Sequence, residues 1–337
     1  MNLQKQPWLG SPLHESIFIL APAFLPVMLI FLFQDYFTSQ KVNTWWWLIL
    51  VLCIDVGHVY STLFRLYWDK KTFRQYKALL VIIPGVAFAI GFALHYFSAQ
   101  LFWRVLAYVA VYHFVRQQYG FLRLYSRKEK PLQWSKWIDT VAIYSATIYP
   151  LLYWHIHATD SLAWFVKGDF ITLDLASYDP ILKILYLTII ALYAGKELMT
   201  SYKTGILNVP KNLIVAGTYV SWYVGIVAFQ GDLIFTLLNV VAHGIPYMAL
   251  IWIHGEKKTQ SGFVFNLKGL GIFIITILMF AYTEEFFWDA FVWNDHPEIF
   301  PASSGFLSLN QPLLLSVVVS LLVLPQVTHY VVDGFIW

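Results

Sequence analysis

Four strongly apolar stretches of the chain each contain a histidine and a second polar residue three or four positions away. The pairs are Asp55 and His58, His113 and Arg116, Asn239 and His243, and His329 and Asp333. On an α-helix this spacing places both members of a pair on one face. Ionisable groups within apolar helices are costly, so they usually face the interior of a bundle and serve a function. We therefore expect these side chains to form a shared polar site.

The residue types in this set favour a metal centre. Neutral imidazoles and carboxylates suit iron, zinc and manganese, and Cys53 is the only cysteine in the chain, which excludes a cysteine cluster. We predict that the metal ligands are His58, His113, His243 and His329. Nitrogen and oxygen ligands without thiolate are typical of a non-haem iron centre, so Fe²⁺ is the expected metal, with Zn²⁺ and Mn²⁺ as alternatives. Such iron, with vacant positions, activates dioxygen.

Three charged residues beside the histidines are the predicted catalytic groups. Asp55 and Asp333 would complete the metal shell or handle protons, and Arg116 would neutralise a carboxylate or hold an acidic head group. A structural explanation competes at each position. An intramembrane histidine is often an interhelical hydrogen-bond partner, His329 and Asp333 could form a pair near a helix end, and Arg116 could snorkel to the surface. The recurrence of the pattern in four stretches favours the shared site.

The composition identifies the kind of protein that must position these residues. Of the 337 residues, 59% are hydrophobic and 12% are charged, whereas ordinary soluble domains are about a quarter charged. A bilayer core about 30 Å thick needs about 20 apolar helical residues. The segments that meet this requirement are 16–34, 44–66, 77–98, 100–123, 135–156, 181–201, 211–230, 233–254, 268–288 and 311–335. We predict an all-α transmembrane bundle of about ten helices, with residues 1–337 forming a single integral membrane domain.

The distribution of charge predicts the orientation. With the N-terminus inside, 18 of the 22 Lys and Arg residues fall on the cytoplasmic side, so both termini are predicted to be cytoplasmic. The outer connections are acidic, and one of them is predicted around Glu284, Glu285 and Asp289. The four histidine-bearing helices then run in the same direction, which places the histidines in the cytoplasmic half. Whether His14 and His254 join them stays open. The expected location is the inner cell membrane of a bacterium.

The isolated membrane histidines resemble those of a known group of enzymes. The chain resembles integral-membrane, histidine-rich non-haem iron enzymes, although it lacks the HxxxH and HxxHH boxes of lipid desaturases and hydroxylases. It is more similar to the bacterial membrane carotene dioxygenases, and the string from Ala242 to Pro246, which reads AHGIP, is the most suggestive segment. The resemblance implies that His58, His113, His243 and His329 hold a single iron.

These observations predict a membrane oxidoreductase or oxygenase that acts on a lipid-soluble substrate such as a carotenoid, sterol or acyl chain. Its expected partners are membrane lipids and an electron donor on the cytoplasmic side. A net charge of +3 gives no reason to expect nucleic acid. The main alternative is a proton- or ion-coupled transporter that uses the Asp, His and Arg residues as a relay. A haem protein with paired axial histidines and an acyltransferase with one catalytic histidine are further alternatives.

Overall fold

The computed structural model describes residues 6–130, 132–157, 164–257, 265–303, 309 and 311–336. This part of the chain is helical and contains no β-strand, which confirms the predicted all-α class. Its contacts divide the chain into two compact units. Unit 1 comprises Met1–Lys41, Phe114–Leu162 and Ile171–Pro246, and unit 2 comprises Val42–His113, Ala163–Phe170 and Tyr247–Trp337. The organisation as one membrane domain stays a prediction.

The principal helices are numbered here in chain order. They are α1 (Pro12–Ala23), α2 (Leu25–Leu32), α3 (Gln34–Ser39), α4 (Thr44–Tyr67), α5 (Lys70–Phe97), α6 (Ala99–Ser126), α7 (Gln133–His157), α8 (Asp179–Thr204), α9 (Val209–Trp222, continued by a π-helical stretch Tyr223–Ala228), α10 (Asp232–Glu256), α11 (Leu267–Trp293), α12 (Pro312–Leu322) and α13 (Leu324–Ile336). Helices α6 and α10 each contribute residues to both units.

Side-chain caps fix where several helices of unit 2 begin. The side chain of Asn43 accepts the backbone N–H groups of Trp45 and Trp46 at the start of α4. Asp69 caps α5 in the same way, and Asn266 caps α11. Such caps satisfy backbone donors that have no partner within the helix. The sequence therefore sets the helix starts locally.

Two irregular features lie close to the predicted histidine ligands. Helix α4 is π-helical from Leu48 to Val56, and this widened stretch ends two residues before His58. Helices α12 and α13 meet at a bend of 41°, and Pro325 lies in the first turn after it. Proline bends helices because it lacks a backbone donor, and π-helical turns often lie at functional sites. Both features change the rotation or direction of the helix segments that carry His58 and His329.

The helices support a membrane protein, but with fewer clear spans than the sequence predicts. Within the described residues, α4, α5, α10 and α11 are long and apolar enough to cross a bilayer, and the bent pairs α1 with α2 and α12 with α13 raise the number from four to six. The ten spans and the cytoplasmic termini are not supported. Charge and length explain why some predicted spans are not among the clear ones. Helix α6 contains three arginines, α8 contains both acids and lysines, and α9 has only 14 regular residues.

The buried side chains of unit 2 form apolar clusters between its helices. One cluster joins α4 to α10 and α11 through Phe64, Tyr247 and Phe273. Another joins α4 to α5 and α13 through Leu66, Leu80 and Val332. The outer face of α5 is instead open, with large apolar side chains exposed, and only 11% of its most apolar window is buried. An apolar interior beside an apolar exposed face is what lipid contact requires.

Candidate metal centre

Three of the four predicted histidine ligands meet in the interior of unit 2. His58 lies on α4, His113 on α6 and His329 on α13, and each side chain is almost fully buried. The centroid of the His329 ring is 4.9 Å from that of His58 and 4.6 Å from that of His113. The rings of His58 and His113 are 6.5 Å apart. Three imidazoles from three helices are therefore within reach of one small ligand.

The fourth predicted ligand, His243, is buried on α10 within unit 1. Its ring stacks on Phe114, with centroids 3.7 Å apart, and its backbone carbonyl accepts the side-chain amide of Gln117 at 2.9 Å. Within unit 2, one ring nitrogen from each of His58, His113 and His329 lies within 4.8 Å of the others. Ligands on opposite sides of a metal with bonds of about 2.1 Å are about 4 Å apart, so these nitrogens have nearly the spacing of a metal site.

A chain of hydrogen bonds orients the His329 ring. Tyr247 donates its hydroxyl to Oδ1 of Asp333 at 2.5 Å, Thr62 lies 3.1 Å from the Tyr247 hydroxyl, and Thr62 Oγ1 lies 2.8 Å from Nδ1 of His329. Because Tyr247 gives its one hydroxyl proton to Asp333, it accepts from Thr62. Thr62 must then accept from Nδ1. Nδ1 thus carries the ring proton, and the lone pair is on Nε2.

The second nitrogen of His329 fits the role of a ligand atom. Nε2 is buried and has no hydrogen-bond partner among the described residues. A buried polar atom in this state costs free energy unless another group satisfies it. In metal sites a histidine commonly binds the metal with one ring nitrogen and donates a hydrogen bond from the other. The Thr62 contact supplies that partner here.

The two predicted aspartates lie beside the rings at distances longer than hydrogen bonds. Asp55 Oδ1 is 3.7 Å from Nδ1 of His58, and Asp333 is 3.8 Å from Nε2 of His113 and 3.7 Å from Nδ1 of His329. Hydrogen bonds of this kind are normally about 2.7–3.2 Å long. These contacts are therefore not hydrogen bonds, but both carboxylates lie close enough to interact electrostatically with positive charge at the histidines.

Other predicted residues are engaged with different partners. Arg116, one turn after His113 on α6, belongs to unit 1, where its guanidinium donates to the Tyr144 hydroxyl at 2.8 Å. The side-chain amide of Asn239 donates to the backbone of Phe235, 3.0 Å away on its own helix. Asn239 therefore forms this hydrogen bond within its own helix, as amide side chains readily do with the preceding turn.

Sequence reasoning missed a buried carboxylate in unit 2. Glu284 and Glu285 were expected around an acidic outer connection, but both are buried on α11, which continues to Trp293. Tyr60, two residues after His58, donates its hydroxyl to Glu284 at 2.5 Å. The available signal was the position of both glutamates within the predicted span 268–288, where acidic residues are costly.

The remaining histidines named by the sequence do not belong to the cluster of His58, His113 and His329 in unit 2. His14 is exposed and His254 is half-buried near the end of α10, and neither belongs to the group within the described residues. His296 stacks on Trp47 with ring centroids 3.8 Å apart. Burial lowers the pKa of His296. The geometry of the described residues therefore gives no reason to add His14, His254 or His296 to the cluster.

The fold and the site together define an all-helical protein with several helices apolar enough for a membrane and a buried, hydrogen-bonded histidine cluster. Comparison of the chain with protein-family models, curated proteins and solved structures finds no match. The function must therefore be argued from the site.

Proposed function

We propose that the protein is a membrane-embedded, metal-dependent oxidoreductase that holds non-haem iron with its histidine cluster. The observation that carries the proposal is the His329 ring, whose Nδ1 is fixed by Thr62 and whose buried Nε2 has no hydrogen-bond partner among the described residues. His58 and His113 bring two more buried imidazoles to the same place in unit 2, and the role of His243 of unit 1 as a fourth ligand stays a prediction. Iron suits such ligands better than magnesium or calcium does.

Each residue of the site has a role that follows from its position. His58, His113 and His329 hold the metal, and the Thr62–Tyr247–Asp333 chain keeps the His329 ring in the tautomer with a free Nε2. Asp55 and Asp333 balance positive charge and handle protons. Bound iron supplies the capacity to activate dioxygen, and the surrounding apolar clusters exclude water from the site.

The substrate class follows from the surroundings of the site. A lipid-soluble molecule such as a carotenoid, sterol or acyl chain can reach a buried site from the bilayer, and the exposed apolar faces of α5 and α11 fit contact with lipid. The finer topology belongs to the same proposal: about ten spans, cytoplasmic termini and a bacterial inner membrane. Electrons would come from a donor on the cytoplasmic side.

Metal analysis of the detergent-purified protein tests the proposal. We expect close to one iron per chain by plasma mass spectrometry, and at least a tenfold lower content in His329→Ala. The matched control is His95→Ala on α5, since His95 is half-buried and hydrogen-bonded to Ser316. Size-exclusion chromatography shows whether each variant keeps its fold. A folded wild-type protein that binds neither Fe²⁺ nor Zn²⁺ nor Mn²⁺ after reconstitution would overturn the proposal.

The alternative function is a proton- or ion-coupled transporter, which the buried carboxylates Glu284 and Glu285 and the partly buried Asp333 favour. Reconstituted vesicles with a pH-sensitive dye distinguish the two functions. Proton flux that depends on Asp333, in protein without bound metal, would support the transporter. Iron-dependent oxygen consumption in the presence of a carotenoid or fatty acid would support the oxidoreductase.

A further inference from the structure

A cavity in unit 1 lies between α1, α6, α9 and α10. Its empty volume is about 290 Å³ with the open mouth included, but its interior has only about 10 Å³ of room, enough for one group of the size of a water molecule. Leu213, which lines the cavity on α9, is 37% exposed, so the cavity reaches the surface of the unit. This shape suits the narrow end of a longer molecule.

Three polar side chains line the cavity, and each is more than nine-tenths buried. They are Gln118 on α6 and Thr218 and Ser221 on α9. Oε1 of Gln118 accepts the Thr218 hydroxyl at 3.1 Å, whereas Nε2 of Gln118 has no hydrogen-bond partner among the described residues. The Ser221 hydroxyl donates to the backbone carbonyl of Thr218 at 3.4 Å, which leaves its oxygen able to accept. A buried donor without a partner costs free energy until another group accepts its hydrogen.

The rest of the cavity wall is apolar. Ile19 and Leu20 contribute from α1, and Ala242 and Pro246 contribute from α10. No charged side chain lines the cavity in the part of the chain that the structure describes. A buried ionised group needs a partner of opposite charge, so the cavity disfavours a carboxylate or an ammonium group. It therefore fits a neutral polar group.

The surroundings of the cavity favour a molecule with a hydrocarbon body. Helix α1 ends at Ala23, which also lines the cavity, and the following helix α2 exposes Leu25 and Met28. The bent pair of α1 and α2 is apolar enough to cross a bilayer. A molecule that enters from such surroundings must itself be largely apolar.

We propose that this cavity binds the terminal hydroxyl of a neutral, lipid-soluble alcohol. The hydroxyl oxygen accepts a hydrogen bond from Nε2 of Gln118 and donates its proton to Oγ of Ser221, while the hydrocarbon chain extends through the mouth. A hydroxyl satisfies both side chains, which an alkane and an ionised acid do not. The site goes beyond the proposed oxidoreductase function, because it needs no metal and belongs to unit 1 alone.

A binding assay with tritiated hexadecan-1-ol on the full chain in phosphatidylcholine nanodiscs tests the proposal. We expect saturable binding, and displacement by unlabelled hexadecan-1-ol at a concentration about tenfold lower than hexadecane or hexadecanoate requires. Gln118→Leu removes the donor and should weaken binding about tenfold. Gln230→Leu is the matched control and should keep wild-type affinity, since Gln230 is exposed outside the cavity and bonds the Tyr153 hydroxyl.

The outcomes are separate from those of the metal centre. Absence of saturable binding to the folded wild-type protein, or equal displacement by hexadecane, would overturn the alcohol site, as would wild-type affinity in Gln118→Leu. If size-exclusion chromatography shows that Gln118→Leu does not fold, Ser221→Ala gives the same test because it removes the acceptor of the hydroxyl proton. Metal content is measured on the same samples, and protein without metal that still binds the alcohol would support this site alone.

Discussion

Replacement of Thr62 by valine is the sharpest test of how the structure positions His329. Valine has the shape of threonine, so the packing of α4 should be preserved while the hydroxyl is lost. Thr62 bonds both Nδ1 of His329 at 2.8 Å and the Tyr247 hydroxyl at 3.1 Å. The variant therefore cuts the chain that links His329 to Asp333 and leaves a buried ring nitrogen unsatisfied.

The expected magnitudes follow from these two contacts. Loss of a partner for a buried polar atom costs about 1–3 kcal/mol of folding stability. Loss of the group that orients a metal-ligating histidine typically weakens metal binding by about 10–100-fold. We therefore expect Thr62→Val to raise the dissociation constant for Fe²⁺ or Zn²⁺ by about that factor, and also to lower the melting temperature of the metal-free protein because of the lost hydrogen bonds.

A competition titration with a chromophoric chelator measures the change in metal affinity. Thr147→Val is the matched control, since Thr147 is buried and, within the described part of the chain, bonds a carbonyl of its own helix α7 at 2.9 Å and no other group. This control should keep wild-type affinity. If Thr62→Val binds the metal within twofold of the wild type while His329→Ala does not bind it, then the hydrogen-bond chain does not orient the ligand and the tautomer assignment is wrong.

Two further predictions concern stability in unit 1. Lys196 is buried and paired with Asp139 and Glu197, and Glu197 is also paired with Lys211. Lys196→Met should therefore lower the free energy of unfolding by about 3–5 kcal/mol, because buried Asp139 loses its paired cation. Thermal unfolding in detergent measures this, and a melting temperature equal to that of the wild type would contradict it. Gly205 has a φ of 68°, so Gly205→Ala should lower the free energy of unfolding by about 1 kcal/mol. Gly195 lies inside α8 with open space around it, so Gly195→Ala should raise the free energy of unfolding by about 0.5–1 kcal/mol. A change of the same sign in both variants would refute the backbone argument.

The helical class was accessible from the sequence because hydrophobic patterning and helix caps act locally. Asn43, Asp69 and Asn266 each begin a helix by bonding backbone groups only two or three residues away. The number of spans was less accessible. Helices such as α6 and α8 are continuous in the structure, but their charged residues leave the membrane crossing undecided from composition alone.

Pairs within one helix turn were also accessible, since spacing fixes which side chains share a face. Asp55 with His58 and His329 with Asp333 lie side by side as that rule requires. The role of these residues as ligands or catalytic groups stays a prediction. Asn239 shows the limit of the rule, because the spacing allowed contact with His243 while the amide bonds the carbonyl of Phe235.

The sequence by itself determined that histidines and carboxylates occur in apolar helices, because composition and periodicity need no knowledge of distant contacts. Only the tertiary structure decided that Thr62 and Tyr247 connect His329 to Asp333, and that Glu284 is buried between Tyr60 and Gln326. Those contacts join residues far apart in the chain. They depend on the rotation and bending of whole helices, such as the π-helical stretch of α4 and the 41° bend before α13, and a residue pattern does not specify these.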